Sequence, residues 1–275
     1  MISQQSLKKS KAARNIVSSY AAFVSTSVCA LISIPIAVSY LDKNQIGIWS
    51  LVQLVVGYLL WMDMGVGNAI GRKIAPAIAA RDQVEINRWW TLSMGVLALL
   101  GMAMLLVALC LASILPGLLD IPKGQFKDAI WLYLGTAFIG VLGMPLRAYP
   151  GLLLAQERFH WVPLVQAFIP WIQVAIFAYL LGIGLGVKSY CIALGISQAA
   201  GWAVWLWQLH GPKETIRFRV DFSGWTKERI WDLFSYSGSI AVNGILASVV
   251  HSIPAMILAR MGGLTLIPIY AFTGR

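Results

Sequence analysis

The chain has 275 residues, of which 59% are hydrophobic and 12% charged, with a mean hydropathy of +0.74 and a formal net charge of +10. A soluble domain is about a quarter charged, so this composition excludes one and specifies an integral membrane protein, which the lengths of its apolar runs make all-α. The basic excess does not imply nucleic acid, because the charges are distributed as a topology signal.

Residues 1–15 form a basic N-terminus with Lys8, Lys9, Lys11 and Arg14. Nearly uncharged runs follow at 16–40, 46–70, 91–115, 129–154, 162–187, 190–209 and 233–259, and an eighth begins near Leu264. Each is about the 20 residues that a helix needs to cross the hydrocarbon core. The first run is too long for a signal-peptide core and contains no small-residue cleavage site, so it reads as a transmembrane helix. With the N-terminus inside, inner segments hold the four N-terminal cations, Arg72, Lys73, Arg81, Arg88, Arg158, Lys213, Arg217, Arg219, Lys227 and Arg229. Outer segments hold only Lys43, Lys123, Lys127, Lys188 and Arg260. Fourteen against five places the N-terminus in the cytoplasm of a multi-pass protein.

The outer loops are short: Leu41 to Gln45, about Pro116 to Asp128, Lys188-Ser189, and Arg260 to Gly263. Two inner segments, Arg81 to Trp90 and Phe222 to Trp231, mix charges with aromatics and are expected to lie along the headgroups. Ser33-Ile34-Pro35 matches Ser252-Ile253-Pro254, and Ile48-Trp49 matches Ile269-Tyr270, six spans later and in the same orientation. The pattern describes a six-helix lobe (16–209), a cytoplasmic interfacial linker (210–232), and the first one to two helices of a parallel-repeat second lobe (233–275). On that description the sequence is a fragment whose second lobe lacks four or so helices. The other description is a seven-span protein with a short hydrophobic tail.

Few residues carry chemistry. Asp63 is the one ionisable residue between Ile46 and Ile70, and Arg147 lies inside the fourth span. Asp63 is nine residues before Arg72, about 13 Å along a helix, and Arg147 is ten before Glu157, about 15 Å. Both therefore sit at similar depth in the cytoplasmic half, where they pair or face a shared cavity. Against this stand an Asp63 that packs at the inner boundary and an Arg147 that snorkels toward it. As a functional group, Arg147 suits an anion, phosphate above all, because its planar fork is always charged.

His251 in span seven is either a proton-sensitive group or an interhelical hydrogen-bond partner. In span five, Gln166, Trp171 and Gln173 either line a sugar path or hold helices together. Trp49, Trp131, Trp161, Trp207 and Trp231 fall at span ends and read as belt residues, which leaves Trp61, Trp171 and Trp202 for an interior surface. Pro35, Pro145, Pro150, Pro163, Pro170 and Pro254 permit kinks. Gly67-x-x-x-Gly71 and Gly182-x-x-x-Gly186 read as close helix packing.

Enzyme chemistry has little support. Gly65 to Gly71 misses the Rossmann glycine spacing by one residue, and there is no Walker A or G-x-S-x-G pattern. No His, Cys, Asp or Glu cluster has metal-ligand spacing, so neither metal nor cofactor is expected. Cys29, Cys110 and Cys191 lie far apart within spans and read as small apolar residues.

The segment from Tyr40 to Ala80 carries Leu41-Asp42, Ile46-Gly47-Ile48-Trp49, Asp63-Met64-Gly65 and Arg72-Lys73-Ile74-Ala75. With Leu152 to Phe159 and the basic, aromatic entry to span seven, it resembles polysaccharide flippases of the Wzx type. These belong to the multidrug, oligosaccharidyl-lipid and polysaccharide exporter superfamily. The resemblance implies two lobes around a cationic lumen and alternating access between them. It further implies transfer of a polyprenyl-pyrophosphate-linked oligosaccharide to the outer leaflet of the bacterial inner membrane, for O-antigen or exopolysaccharide assembly. Arg147 would then meet the pyrophosphate, Asp63 would belong to an Asp-x-Gly element of helix two, and H+ or Na+ is a possible coupling ion. The alternative within the superfamily is a cation-coupled multidrug exporter. A membrane enzyme of polysaccharide assembly is less favoured, because the outer loops are small and plain.

Overall fold

In a computed structural model of the chain, the first six apolar runs fold as six long helical units, two of which are broken. The structure describes residues 2–60, 63, 65–118, 124–158, 160–211, 218–235, 237 and 238, and for 2–15, 68 and 114–118 the backbone alone. The expected seventh and eighth spans, His251, the repeated tripeptide Ser252-Ile253-Pro254 and Trp61 lie outside the described residues.

The helices are α1 (Ile2–Tyr40), α2 (Lys43–Leu60), α3 (Val66–Ala80), α4 (Gln83–Leu118), α5 (Phe126–Leu146), α6 (Ala148–Ala155), α7 (Trp161–Gly182) and α8 (Lys188–His210). Among the described residues there is no strand, and four stretches are long and apolar enough to cross a membrane: Ile16–Tyr40, Gln83–Ser113, Phe126–Ala155 and Trp161–Gly182. Their outward faces carry Tyr20, Phe23, Leu31, Met102, Leu106, Phe168 and Tyr179, all exposed. A continuous apolar exterior of this kind suits lipid rather than water. The protein is thus an all-α membrane protein. Helices α2 and α8 are less uniformly apolar because they carry amides, Gln53 and Gln198, turned toward the interior.

Local chemistry sets the turns. Between α1 and α2 only Leu41 and Asp42 intervene, and Asp42 and Gln45 form a capping box. The Gln45 N–H donates to Asp42 Oδ1 at 2.8 Å, and the Asp42 N–H donates to Gln45 Oε1 at 3.3 Å. Arg81 closes α3 with φ 56°, and the Asp82 carboxylate accepts the Val84 and Glu85 N–H groups, each at 3.1 Å, to start α4.

That cap changes the expected inner loop. Residues 83–90 are the first two turns of a 36-residue helix rather than a segment lying along the headgroups, and Trp89 and Trp90 are buried. Their cover comes from residues 218–235, which dock on this end of α4. The Trp225 ring fills the notch at Gly95, Phe218 packs on Trp90 with ring centroids 4.7 Å apart, and Arg229 lies 5.3 Å from the Trp89 ring centre. Phe222 and Trp231 remain exposed. Trp49 is likewise no belt residue, being buried against Phe177 and Tyr190.

The core divides into two clusters stacked along the bundle. One, toward the α1–α2 turn, joins α2, α5, the C-terminal half of α4 and the facing ends of α7 and α8. The other, toward the α3–α4 turn, joins α3, α6, the first half of α4 and the docked segment. The second end carries Arg72, Lys73, Arg81, Arg88 and Arg158 and is called the basic end below.

Candidate functional site

The boundary between the two clusters coincides with both helix breaks. Helix α2 stops at Leu60 and α3 starts at Val66, after Gly65 in the left-handed region at φ 71°. A side chain at that φ would be strained, which is the local reason for glycine there. Helix α5 stops at Leu146, just after Pro145, and α6 starts at Ala148, so that Arg147 is itself the joint. Pro150 lacks the N–H that would bond the Leu146 carbonyl four residues earlier, and its ring crowds that carbonyl, which accounts for the interruption at this point.

One ion pair ties the two joints together. Arg147 Nη1 donates to Asp63 Oδ2 at 2.7 Å and to the Leu60 carbonyl at 3.0 Å, and Asp63 Oδ1 accepts the Gly65 N–H at 3.0 Å. The cation therefore sits on the carboxyl end of α2 and the anion at the amino end of α3. Each charge opposes the helix-dipole end it meets. The pair also satisfies a carbonyl and an N–H that the break would otherwise leave bare in an apolar layer. The side chains are 33% and 16% exposed, so neither is sealed off.

Backbones touch just below the pair. A Cβ added at Gly67 would stand 2.7 Å from the Arg147 carbonyl oxygen, and one at Gly71 would stand 2.5 Å from the Gly151 carbonyl oxygen. The Gly67-x-x-x-Gly71 pattern thus brings α3 directly against the α5–α6 joint. Gly182 has nothing within 4 Å of an added Cβ, so its glycine pattern makes no such contact.

Above the pair, α2, α5 and α8 enclose a cavity of about 390 Å³. Helix α2 contributes Gln53, Val56, Gly57 and Leu60; α5 contributes Thr136, Ile139, Gly140 and Gly143; α8 contributes Tyr190, Leu194, Gln198, Trp202 and Trp205. Arg147 closes one end as the single charged residue of this lining. The Trp202 ring lies on Gly143, where a Cβ would come within 2.9 Å of it. The buried Trp205 indole N–H finds no acceptor among the described residues. Amides, a phenol, indoles and one guanidinium offer donors and flat apolar faces. Such a lining holds polyols and oxyanions in one orientation.

The other sequence candidates stand elsewhere. Gln166 is exposed on α7, Trp171 is exposed with its indole N–H donating to Ser25 Oγ of α1 at 2.8 Å, and Gln173 is half-buried on α7. None of the three belongs to the cavity lining. Sequence reading passed over Gln53, Thr136, Tyr190, Gln198 and Trp205. The usable signal was an amide in the middle of each of two otherwise apolar runs. No group of three or more His, Cys, Asp or Glu residues among those described has metal-holding geometry.

A further polar cluster closes the basic end. Arg229 Nη2 bonds Glu85 Oε2 at 2.9 Å, Arg88 Nε donates to Ser223 Oγ at 2.9 Å, and Lys73 Nζ pairs with Asp232 at 2.5 Å. Asp221 accepts the Ser223 N–H at 2.9 Å. The Ser223 side chain and N–H, with Arg88 and Arg229 nearby, hold the Asp221 carboxyl below its ordinary pKa.

No family model matches the sequence, and no curated protein matches it. Solved structures do. A MOP superfamily transporter from Pyrococcus furiosus Vc1 (DSM3638), described by a binding pocket of reversed polarity that suggests a different function, superposes with a TM-score of 0.70 at 14% identity. It covers 96% of this chain and 61% of its own. A multidrug resistance MATE family transporter of the same superfamily superposes in its outward-facing conformation with a TM-score of 0.67, at 14% identity over 96% of this chain and 58% of its own. A MATE family transporter in an inward-facing conformation gives 0.62, at 16% identity over 93% and 60%. The chain spans about three-fifths of the length of these proteins. Over that span it has the fold of the MOP superfamily transporters.

Proposed function

We propose that the chain supplies the first lobe of an alternating-access transporter. Its substrate is a polyprenyl-pyrophosphate-linked oligosaccharide, moved from the inner to the outer leaflet of the bacterial inner membrane for cell-surface polysaccharide assembly. The N-terminus and the basic end then face the cytoplasm, as the distribution of Lys and Arg favours.

One observation carries the choice of substrate. The cavity lining holds a single charge, the Arg147 guanidinium, among amides, a hydroxyl, a phenol and two indoles. A site for organic cations would place a carboxylate where this one places a guanidinium. At about 390 Å³ the cavity lies near the lower end of small-molecule sites, which run from about 300 to 1,000 Å³. A cavity of this size takes the pyrophosphate end of the headgroup beside Arg147, with the polyprenyl tail left in the bilayer.

A second reading, export of small cations coupled to H+ or Na+, is favoured by the likeness to MATE family transporters in two conformations. The test is transport by the full chain in proteoliposomes. A fluorescent short-chain polyprenyl-pyrophosphate trisaccharide is scored by its exposure to a lectin, beside ethidium uptake. Trisaccharide transfer that is lost in Arg147→Ala supports the proposal. Ethidium transport without trisaccharide transfer replaces it with the second reading, and failure of the chain to bind either probe, read by quenching of its tryptophan fluorescence, overturns each.

A further inference from the structure

Arg147 belongs to two structures at once, the strap between the helix breaks and the wall of the cavity. Among the described residues, both of its contacts run through Nη1, to Asp63 and to the Leu60 carbonyl. From these facts we infer that an anion in the cavity competes with Asp63 for Arg147 and, by taking it, unlatches the two breaks together. The inference deepens the reading of the cavity as an oxyanion site and rests on it.

The argument begins with charge. A carboxylate already occupies one nitrogen of the guanidinium at 2.7 Å. A pyrophosphate drawn to the same group brings more negative charge and more acceptor oxygens, and it repels Asp63 across a short distance in a poorly screened layer. The bidentate fork favours the ligand that engages both of its nitrogens. Asp63 then keeps only the Gly65 N–H, and the Leu60 carbonyl loses its cationic donor.

What moves follows from packing. Helix α3 meets the α5–α6 joint and α6 backbone to backbone at Gly67, Gly71 and Gly151, with the Ile70 side chain packed beside Gly151. The two helices are therefore held to each other as one pair. Helices α2 and α5 belong to the other cluster. The unbroken α4 and α8 run through both clusters, so the two breaks give freedom to α3 and α6 alone, and the ion pair spans both joints at its level. Substrate that removes Arg147 from Asp63 thereby frees the α3–α6 pair to tilt against α2 and α5, which line the cavity. Binding energy is converted into a change of lobe shape through the differential affinity of two states.

Hydrogen exchange on the full chain in detergent reads each joint separately. Asp63→Ala, made on the α2–α3 side, is expected to speed amide exchange about tenfold at 145–151 as well as at 63–67. Arg147→Ala is expected to do the same in reverse, a factor in the range for losing a hydrogen bond to a charged group. The double variant should exceed neither single one. Asp63→Asn, which keeps an acceptor and the fold, should fall between. Farnesyl pyrophosphate added to the wild-type chain should speed both segments, and farnesol neither.

Loosening confined to the mutated helix overturns the latch. Farnesyl pyrophosphate that quenches tryptophan fluorescence in the wild type but leaves exchange at both joints unchanged overturns the release step, while the cavity reading stands. Absence of any binding overturns both.

Discussion

The contact between α3 and α6 makes a sharp prediction, because identical substitutions at two glycines should act in opposite directions. In Gly71→Ala the new Cβ would stand 2.5 Å from the Gly151 carbonyl oxygen, 3.0 Å from its carbonyl carbon and 3.2 Å from its Cα. Ordinary contact begins near 3.4 Å, so the backbones must part by about 0.9 Å (3.4 − 2.5). All three neighbours are backbone atoms and no rotamer change relieves them. The cost belongs at the upper end of overpacking, about 3 kcal/mol. Replacing glycine inside a helix returns about 1 kcal/mol. The net expectation is a loss of about 2 kcal/mol, or a fall in Tm of about 4–8 °C for a chain of this size.

Gly57→Ala, in α2 where nothing lies within 4 Å of the added Cβ, keeps only the favourable part and should gain up to about 1 kcal/mol. The assay is thermal unfolding by circular dichroism in one detergent at fixed concentration. Gly151→Ala should resemble Gly71→Ala, and the double variant should cost less than the sum because both open the same gap. If Gly71→Ala and Gly57→Ala agree within about 0.5 kcal/mol, the close approach and the argument built on it are wrong.

Other consequences follow from the polar contacts. Arg147→Ala leaves the Asp63 carboxylate and the Leu60 carbonyl without their donor and should cost about 1–3 kcal/mol in the same melts. Arg229→Ala removes a partly exposed pair with Glu85 and the cation over Trp89, for about 1 kcal/mol, and a Tm equal to wild type would show that the docked segment does not depend on it. Asp221 has a folded pKa below its ordinary value, so its contribution is complete above about pH 3.9 and is lost as pH falls through the lower folded value. An acid titration of tryptophan fluorescence should therefore show undocking of Trp225 only under strongly acidic conditions. Asp221→Asn should remove that step, and an unchanged titration would refute the assignment.

The class of the protein and its first six helical units are legible because composition and run length report directly on the bilayer. Depth arithmetic along two helices also places Asp63 and Arg147 level, and the structure has them 2.7 Å apart. The breaks are not legible from hydropathy, since the run through Ile70 is as apolar on one side of Gly65 as on the other. Only the local Asp63-x-Gly65 chemistry marks the interruption. Trp89 and Trp90 read as boundary aromatics because their cover arrives from Phe218 and Trp225, more than a hundred residues later. The cavity escapes for a different reason. In a membrane helix the lipid face and the core face are both apolar, so periodicity does not say which way Gln53, Gln166, Gln173 or Gln198 points.

An apolar pair in place of Asp63 and Arg147 would avoid burying charge, and replacements of that kind are often neutral in packed cores. Here it would not serve, because the broken helices present a carbonyl at Leu60 and an N–H at Gly65 that hydrocarbon cannot satisfy. The charges are retained for the break, and the break is where the cavity closes. Substrate recognition and hinge stability therefore share one guanidinium. Loss of transport in Arg147→Ala would by itself not separate the two roles. Asp63→Asn does, because it keeps a neutral acceptor for the Gly65 N–H, and Arg147 for the Leu60 carbonyl, while removing the competing charge. Farnesyl pyrophosphate should bind this variant more tightly than wild type, by a factor of up to about ten if the released competition is worth about 1.4 kcal/mol. Weaker binding to Asp63→Asn would mean that the carboxylate orients Arg147 for the ligand instead of contending with it.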